Sequence, residues 1–79
     1  MVIKILGAGC KNCEKLYNLT NEVVNELGIK AEIKKVTEFK DILSYGIMKT
    51  PGLVIDEKVI VSGRVPSKNE IKDFIQKYL

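Results

Sequence analysis

Val2-Ile3-Lys4-Ile5-Leu6, then Gly7-Ala8-Gly9, then Cys10-Lys11-Asn12-Cys13: this stretch decides how the chain is read. The first run is nearly continuous, apolar and β-branched, the pattern of a strand buried on both faces. The two glycines break it. From Lys11 onward, Leu16, Thr20, Val23, Val24 and Leu27 recur at the spacing of one helix face. Gly28 follows them as a left-handed cap. The sequence therefore sets two cysteines between the end of a buried strand and the first turn of a helix.

Working outward, Ile29 to Val36 reads as a second strand. Ala31, Ile33 and Lys35 share one face; Glu32, Lys34 and Val36 share the other. The second face is polar except for Val36, which places this strand at a sheet edge. Strand, helix and strand in succession form a βαβ unit with parallel strands. Glu38 to about Ile47 reads as a shorter helix with Phe39, Ile42, Leu43 and Ile47 inward, fraying at Gly46; Phe39 and Tyr45 are read as core. Leu53-Val54-Ile55 and Val59-Ile60-Val61 flank Asp56-Glu57-Lys58 as a hairpin, closed by Gly63. Pro66 precedes Ser67-Lys68-Asn69-Glu70, a capping box. Ile71, Phe74, Ile75, Tyr78 and Leu79 then mark the inner face of a last helix. The order is β-α-β-α-β-β-α. This is an α/β arrangement with helices on both faces of one four-stranded sheet, because the first strand has no polar face to leave in water.

At 79 residues the chain is read as one domain, residues 1–79. Hydrophobic residues make up 46% and charged residues 29%, the balance of a folded globular chain. No run approaches the roughly 18 apolar residues of a membrane span. The opening apolar run is too short for a signal peptide and lacks a cleavage site, so a cytoplasmic location is expected. Thirteen basic and ten acidic residues are spread along the chain, for a net charge of +3. That falls short of the dense basic stripe of a nucleic-acid binder.

The two cysteines are three positions apart. A disulfide between them closes almost no loop and is therefore no structural staple. The location suggests chemistry instead. A helix start carries partial positive charge and unpaired N–H groups. Cys10 falls at the cap, where a thiolate can accept those groups; Cys13 falls one turn on, more covered. A free thiol, with a pKa of about 8.5, is only about 3% ionised at neutral pH. The helix end is worth about 0.3–1 kcal/mol to an anion, up to about 2 when partly buried. With the nearby Lys11 cation, this draws the Cys10 thiol toward neutrality. The expected reaction has the Cys10 thiolate attack a disulfide and Cys13 resolve the mixed disulfide, leaving Cys10 bonded to Cys13. Two further readings stay open. One is a soft-metal, copper-type carrier using the same two thiols, although the chain has no His and a closed four-ligand site within one copy is impossible. The other is an idle binding module.

Thr50-Pro51 is the second signal. The segment entering the third strand passes beside the CxxC turn. A cis proline there would interrupt pairing and present the Thr50 backbone to an extended substrate. The alternative is a trans proline that ends the second helix. Tyr17 follows Cys13 by four positions and reads as an ordinary packed aromatic. Arg64 reads as a solvated charge.

The strand Ile3 to Leu6, Gly9-Cys10-Lys11-Asn12-Cys13, Gly28, Thr50-Pro51-Gly52-Leu53 and Gly63-Arg64-Val65-Pro66-Ser67 together resemble the thioredoxin/glutaredoxin superfamily. The nearest likeness is to its small archaeal and bacterial redox-active disulfide proteins. The resemblance covers nearly the whole chain and implies a thioredoxin-like fold with a mixed sheet. It implies Cys10 as nucleophile, Cys13 as resolving thiol and Pro51 as the cis proline beside them. It implies no cofactor beyond the disulfide, disulfide-containing protein substrates, a thioredoxin-reductase-like electron donor and, as expected here, a monomer. Four positions depart from the superfamily. Lys11-Asn12 stands between the cysteines in place of Gly-Pro or Pro-Tyr. Gly9 replaces the aromatic before the first cysteine. Lys4, six residues before Cys10, stands where thioredoxins commonly bury an acid, which leaves Glu14, Lys4 or water to deprotonate Cys13. The stretch Gly63 to Ser67 lacks the acids that hold glutathione, so weak or no glutathione binding is expected.

Overall fold

The computed structural model describes residues 1–79. The elements run β1 (Val2–Leu6), α1 (Lys11–Leu27), β2 (Glu32–Val36), α2 (Phe39–Ser44), β3 (Gly52–Ile55), β4 (Lys58–Ser62) and α3 (Lys68–Gln76). The sheet order is β2-β1-β3-β4. β1 lies parallel to β2 and antiparallel to β3, and β3 lies antiparallel to β4. This mixed sheet gives β1 neighbours on both sides, as its apolar run requires, and leaves the polar β2 at an edge. It is a thioredoxin-like fold, and its element order differs from the βαββαβ of ferredoxin-like metal carriers.

Alternation along β1 divides the core. Ile3 and Ile5 point to the side of α1 and α3, where they pack with Leu16, Val23, Leu53, Ile55, Ile71 and Ile75. Leu6 points the other way, against Ile42, Ile47 and Val54. The helix ends form where the residue types demand. Gly28 takes φ 63° and donates its N–H to the Asn25 carbonyl. The Ser67 hydroxyl accepts from the Glu70 N–H, and the Glu70 carboxylate accepts from the Ser67 N–H.

The second helix departs from its reading. α2 spans Phe39–Ser44, and only Ile42 within it is buried. Phe39 is 72% exposed and Leu43 is 44% exposed, so neither belongs to the inner stripe. Ile47 is buried, but it lies beyond the helix, after Gly46 turns the chain at φ 79°. Its burial comes from that reversal and not from helical spacing. Tyr45 packs at the rim of the smaller cluster. β2 begins at Glu32 rather than Ile29, because pairing starts at Val2↔Glu32. Leu79 is exposed past the end of α3. Arg64 is not merely solvated: its guanidinium donates to both Glu70 oxygens, at 3.3 and 2.9 Å.

Candidate active site

Cys10 is the N-cap of α1, and its sulfur accepts the Cys13 N–H at 3.1 Å. The helix behind it is 17 residues long, so the full end charge bears on that sulfur. Cys10 is exposed, whereas Cys13 is only 5% exposed. The two are joined as a disulfide, with 5.0 Å between their Cα atoms. One sulfur thus faces solvent and the other faces the core, as their order on the first helical turn requires. Lys11 is exposed at the first helical position, beside Cys10 in sequence.

The Thr50–Pro51 bond is cis. Pro51 is buried, and its carbonyl accepts the Gly63 N–H at 2.9 Å. Thr50 reaches the cysteines through Gly7. A methyl group on Gly7 would overlap Cys13 Sγ, lie 3.1 Å from Cys13 Cβ and lie 3.6 Å from Thr50 Cβ. Gly7 is therefore the gap through which the end of β1, the CxxC turn and the segment before β3 meet. Sequence reasoning passed over it as a helix-preceding break; only the packed position of Cys13 shows why no side chain fits.

Lys4 does not serve the cysteines. Strand alternation turns it to the face opposite Ile5 and Gly7. There its ammonium donates to Tyr45 Oη at 2.8 Å and to Glu57 Oε1 at 2.6 Å. Those two bonds hold Lys4 protonated well above the ordinary lysine range, chiefly through Glu57. Of the groups named for Cys13, Glu14 is the one on the correct face. It pairs with Lys35 at 2.9 Å, and this pairing also raises the Lys35 pKa. Lys35 lies 4.3 Å from the centre of the Tyr17 ring, which gives Tyr17 a packing role on the flank of the site.

Comparison with known proteins agrees with this geometry. The Thioredoxin domain family model matches residues 1–76. A thioredoxin of Methanocaldococcus jannaschii is 40% identical over 79 residues, all of this chain and 91% of that one. A thioredoxin of Methanothermobacter thermautotrophicus is 45% identical over 75 residues, covering 95% and 97%. The solution structure of oxidised thioredoxin from Plasmodium falciparum superposes with a TM-score of 0.63 at 20% identity, over 98% of this chain and 79% of that one, and so supports the fold. With a matching fold, a cysteine pair bonded at a helix start and relatives over its full length, this chain is a thiol–disulfide oxidoreductase and belongs to the thioredoxin domain family.

Proposed function

We propose that the protein reduces or exchanges disulfides in other proteins, with Cys10 as the attacking thiol and Cys13 as the resolving one. The observation that carries this reading is the Cys13 N–H directed at Cys10 Sγ, 3.1 Å away, at the start of α1. An anion on the exposed sulfur gains from that bond and from the helix end. The covered sulfur is held for the second step.

In the forward reaction Cys10 displaces one sulfur of the substrate disulfide, which leaves as a thiolate and takes up a proton. Cys13 then displaces the other and forms the internal disulfide. Two electrons pass from the dithiol to the substrate, and a reductase of the thioredoxin-reductase type restores it. Lys11 adds positive charge near the Cys10 thiolate. Thr50 and Pro51 form the ledge against which an extended substrate segment lies; the Thr50 backbone groups face it, while the Pro51 carbonyl is already taken by the Gly63 N–H. On this reading residues 1–79 act as one domain, as a monomer in the cytoplasm, with no cofactor beyond the disulfide. No helix is long and apolar enough to cross a membrane.

The test is insulin reduction with dithiothreitol as electron source. The protein accelerates precipitation of the insulin chains, and Cys10→Ser removes the acceleration. No acceleration by wild type, or full activity in Cys10→Ser, contradicts the reading. Tight stoichiometric Cu(I) binding without disulfide reduction would instead favour the carrier.

A further inference from the structure

Cys13 has to lose a proton before it attacks, and its burial opposes that loss. A cavity of about 210 Å³ opens beside it. Ile5 of β1 and Gly7 just past it, Cys13 and Glu14 of α1, Lys35 of β2 and Thr37 just past it all border this space. Apart from the cysteine, Glu14 and Lys35 are the only ionisable side chains on its wall. Lys35 Nζ donates to Glu14 Oε1, while no hydrogen bond within the chain engages Oε2. Lys35 is itself steadied over the Tyr17 ring. The remaining charges nearby are directed elsewhere. Lys4 is bonded to Tyr45 and Glu57 on the opposite sheet face, and Lys11 is exposed and absent from the cavity wall.

We propose that Glu14 is the proton acceptor for Cys13 in the resolving step, working across this cavity. The proposal rests on the reading of Cys10 as nucleophile and Cys13 as resolving thiol, and adds the route of the proton. In the mixed disulfide, the Cys13 thiol gives its proton to the Glu14 carboxylate, directly or through water in the cavity. The Cys13 sulfur forms its bond to Cys10 Sγ as the bond from Cys10 to the substrate sulfur breaks. The substrate leaves as a thiolate and is protonated, and Glu14 passes its proton to solvent from its half-exposed position. The substrate disulfide has gained two electrons and the protein dithiol has lost two.

The experiment mixes the reduced protein with one equivalent of a symmetrical nitrobenzoate disulfide, whose thiolate is yellow. The first thiolate is released as Cys10 attacks, the second as Cys13 displaces the label from Cys10. In Glu14→Gln the second release slows by about 100-fold, the low side of general-base contributions, while the first stays within about twofold. Glu14→Asp recovers part of the second rate. A second release unchanged in Glu14→Gln overturns the proposal, as does equal slowing of both releases, which marks a general disturbance of the site. A wild type that makes the first release and never the second removes the resolving role of Cys13 itself. That outcome is distinct from a fault in Glu14 alone.

Discussion

A side chain on Gly7 meets Cys13 Sγ, so the backbone there approaches the buried sulfur as only glycine permits. Gly7→Ala is expected to push Cys13 aside and cost about 1–3 kcal/mol, as overpacking in a tight site does. Urea unfolding of the oxidised protein measures it; an unchanged midpoint would show that the contact relaxes freely. The two cysteines divide in the same local terms. Cys13→Ser keeps the exposed sulfur and loses the one proposed to resolve, so the protein is expected to stop at the mixed disulfide. Mass spectrometry then finds substrate bonded to Cys10, where wild type shows little. Which cysteine caps the helix and which is covered was legible in sequence, because the strand–turn–helix pattern fixes it. Glu14 and Lys35 were less legible. They lie 21 positions apart, and only the seating of α1 beside the parallel β1–β2 pair brings them together.

Among the elements, α3 is the one whose sequence and structure agree most closely, because its signals are local. Ser67→Ala removes the cap from the Glu70 N–H and is expected to cost about 1 kcal/mol. Arg64 adds a second tie to the same glutamate that sequence could not show, since it reaches back from the loop before the cap. Arg64 first, then the Ser67 N–H, draw Glu70 down from an ordinary 4.5 to about 2. A carboxyl depressed in the folded state is protonated first in the unfolded chain as pH falls. Its contribution is therefore complete above about 4.5 and is lost as pH approaches about 2. Melting temperatures measured over that range should fall more steeply for wild type than for Glu70→Gln. Equal slopes would mean the pairing is absent in solution. The α2 region shows the opposite case. Its apolar residues outnumber the positions its short helix can bury, so Phe39 and Leu43 stay in water while Gly46 returns Ile47 to the core. Helical spacing carries no information about such a reversal.

Across the whole molecule, β1 holds both halves of the design. Its odd positions anchor α1 and α3, its even positions anchor the smaller α2 side, and its end delivers the chain to the cysteines. The fold is held by this core and not by the disulfide, which closes a ring worth only about 2 kcal/mol by loop-closure entropy. The reduced protein is expected to unfold cooperatively in urea, within about that margin of the oxidised one. Loss of cooperative unfolding on reduction would make the bond structural after all. The central claim is that the start of α1 favours an anion on Cys10 while Cys13 is withheld. The most direct test is the rate at which iodoacetamide modifies each cysteine of the reduced protein as pH is raised, read by mass spectrometry. The account predicts that Cys10 reacts first, with a profile displaced to lower pH than an ordinary thiol, and that Cys13 lags. Equal modification of both cysteines, along the profile of an ordinary thiol, would contradict it.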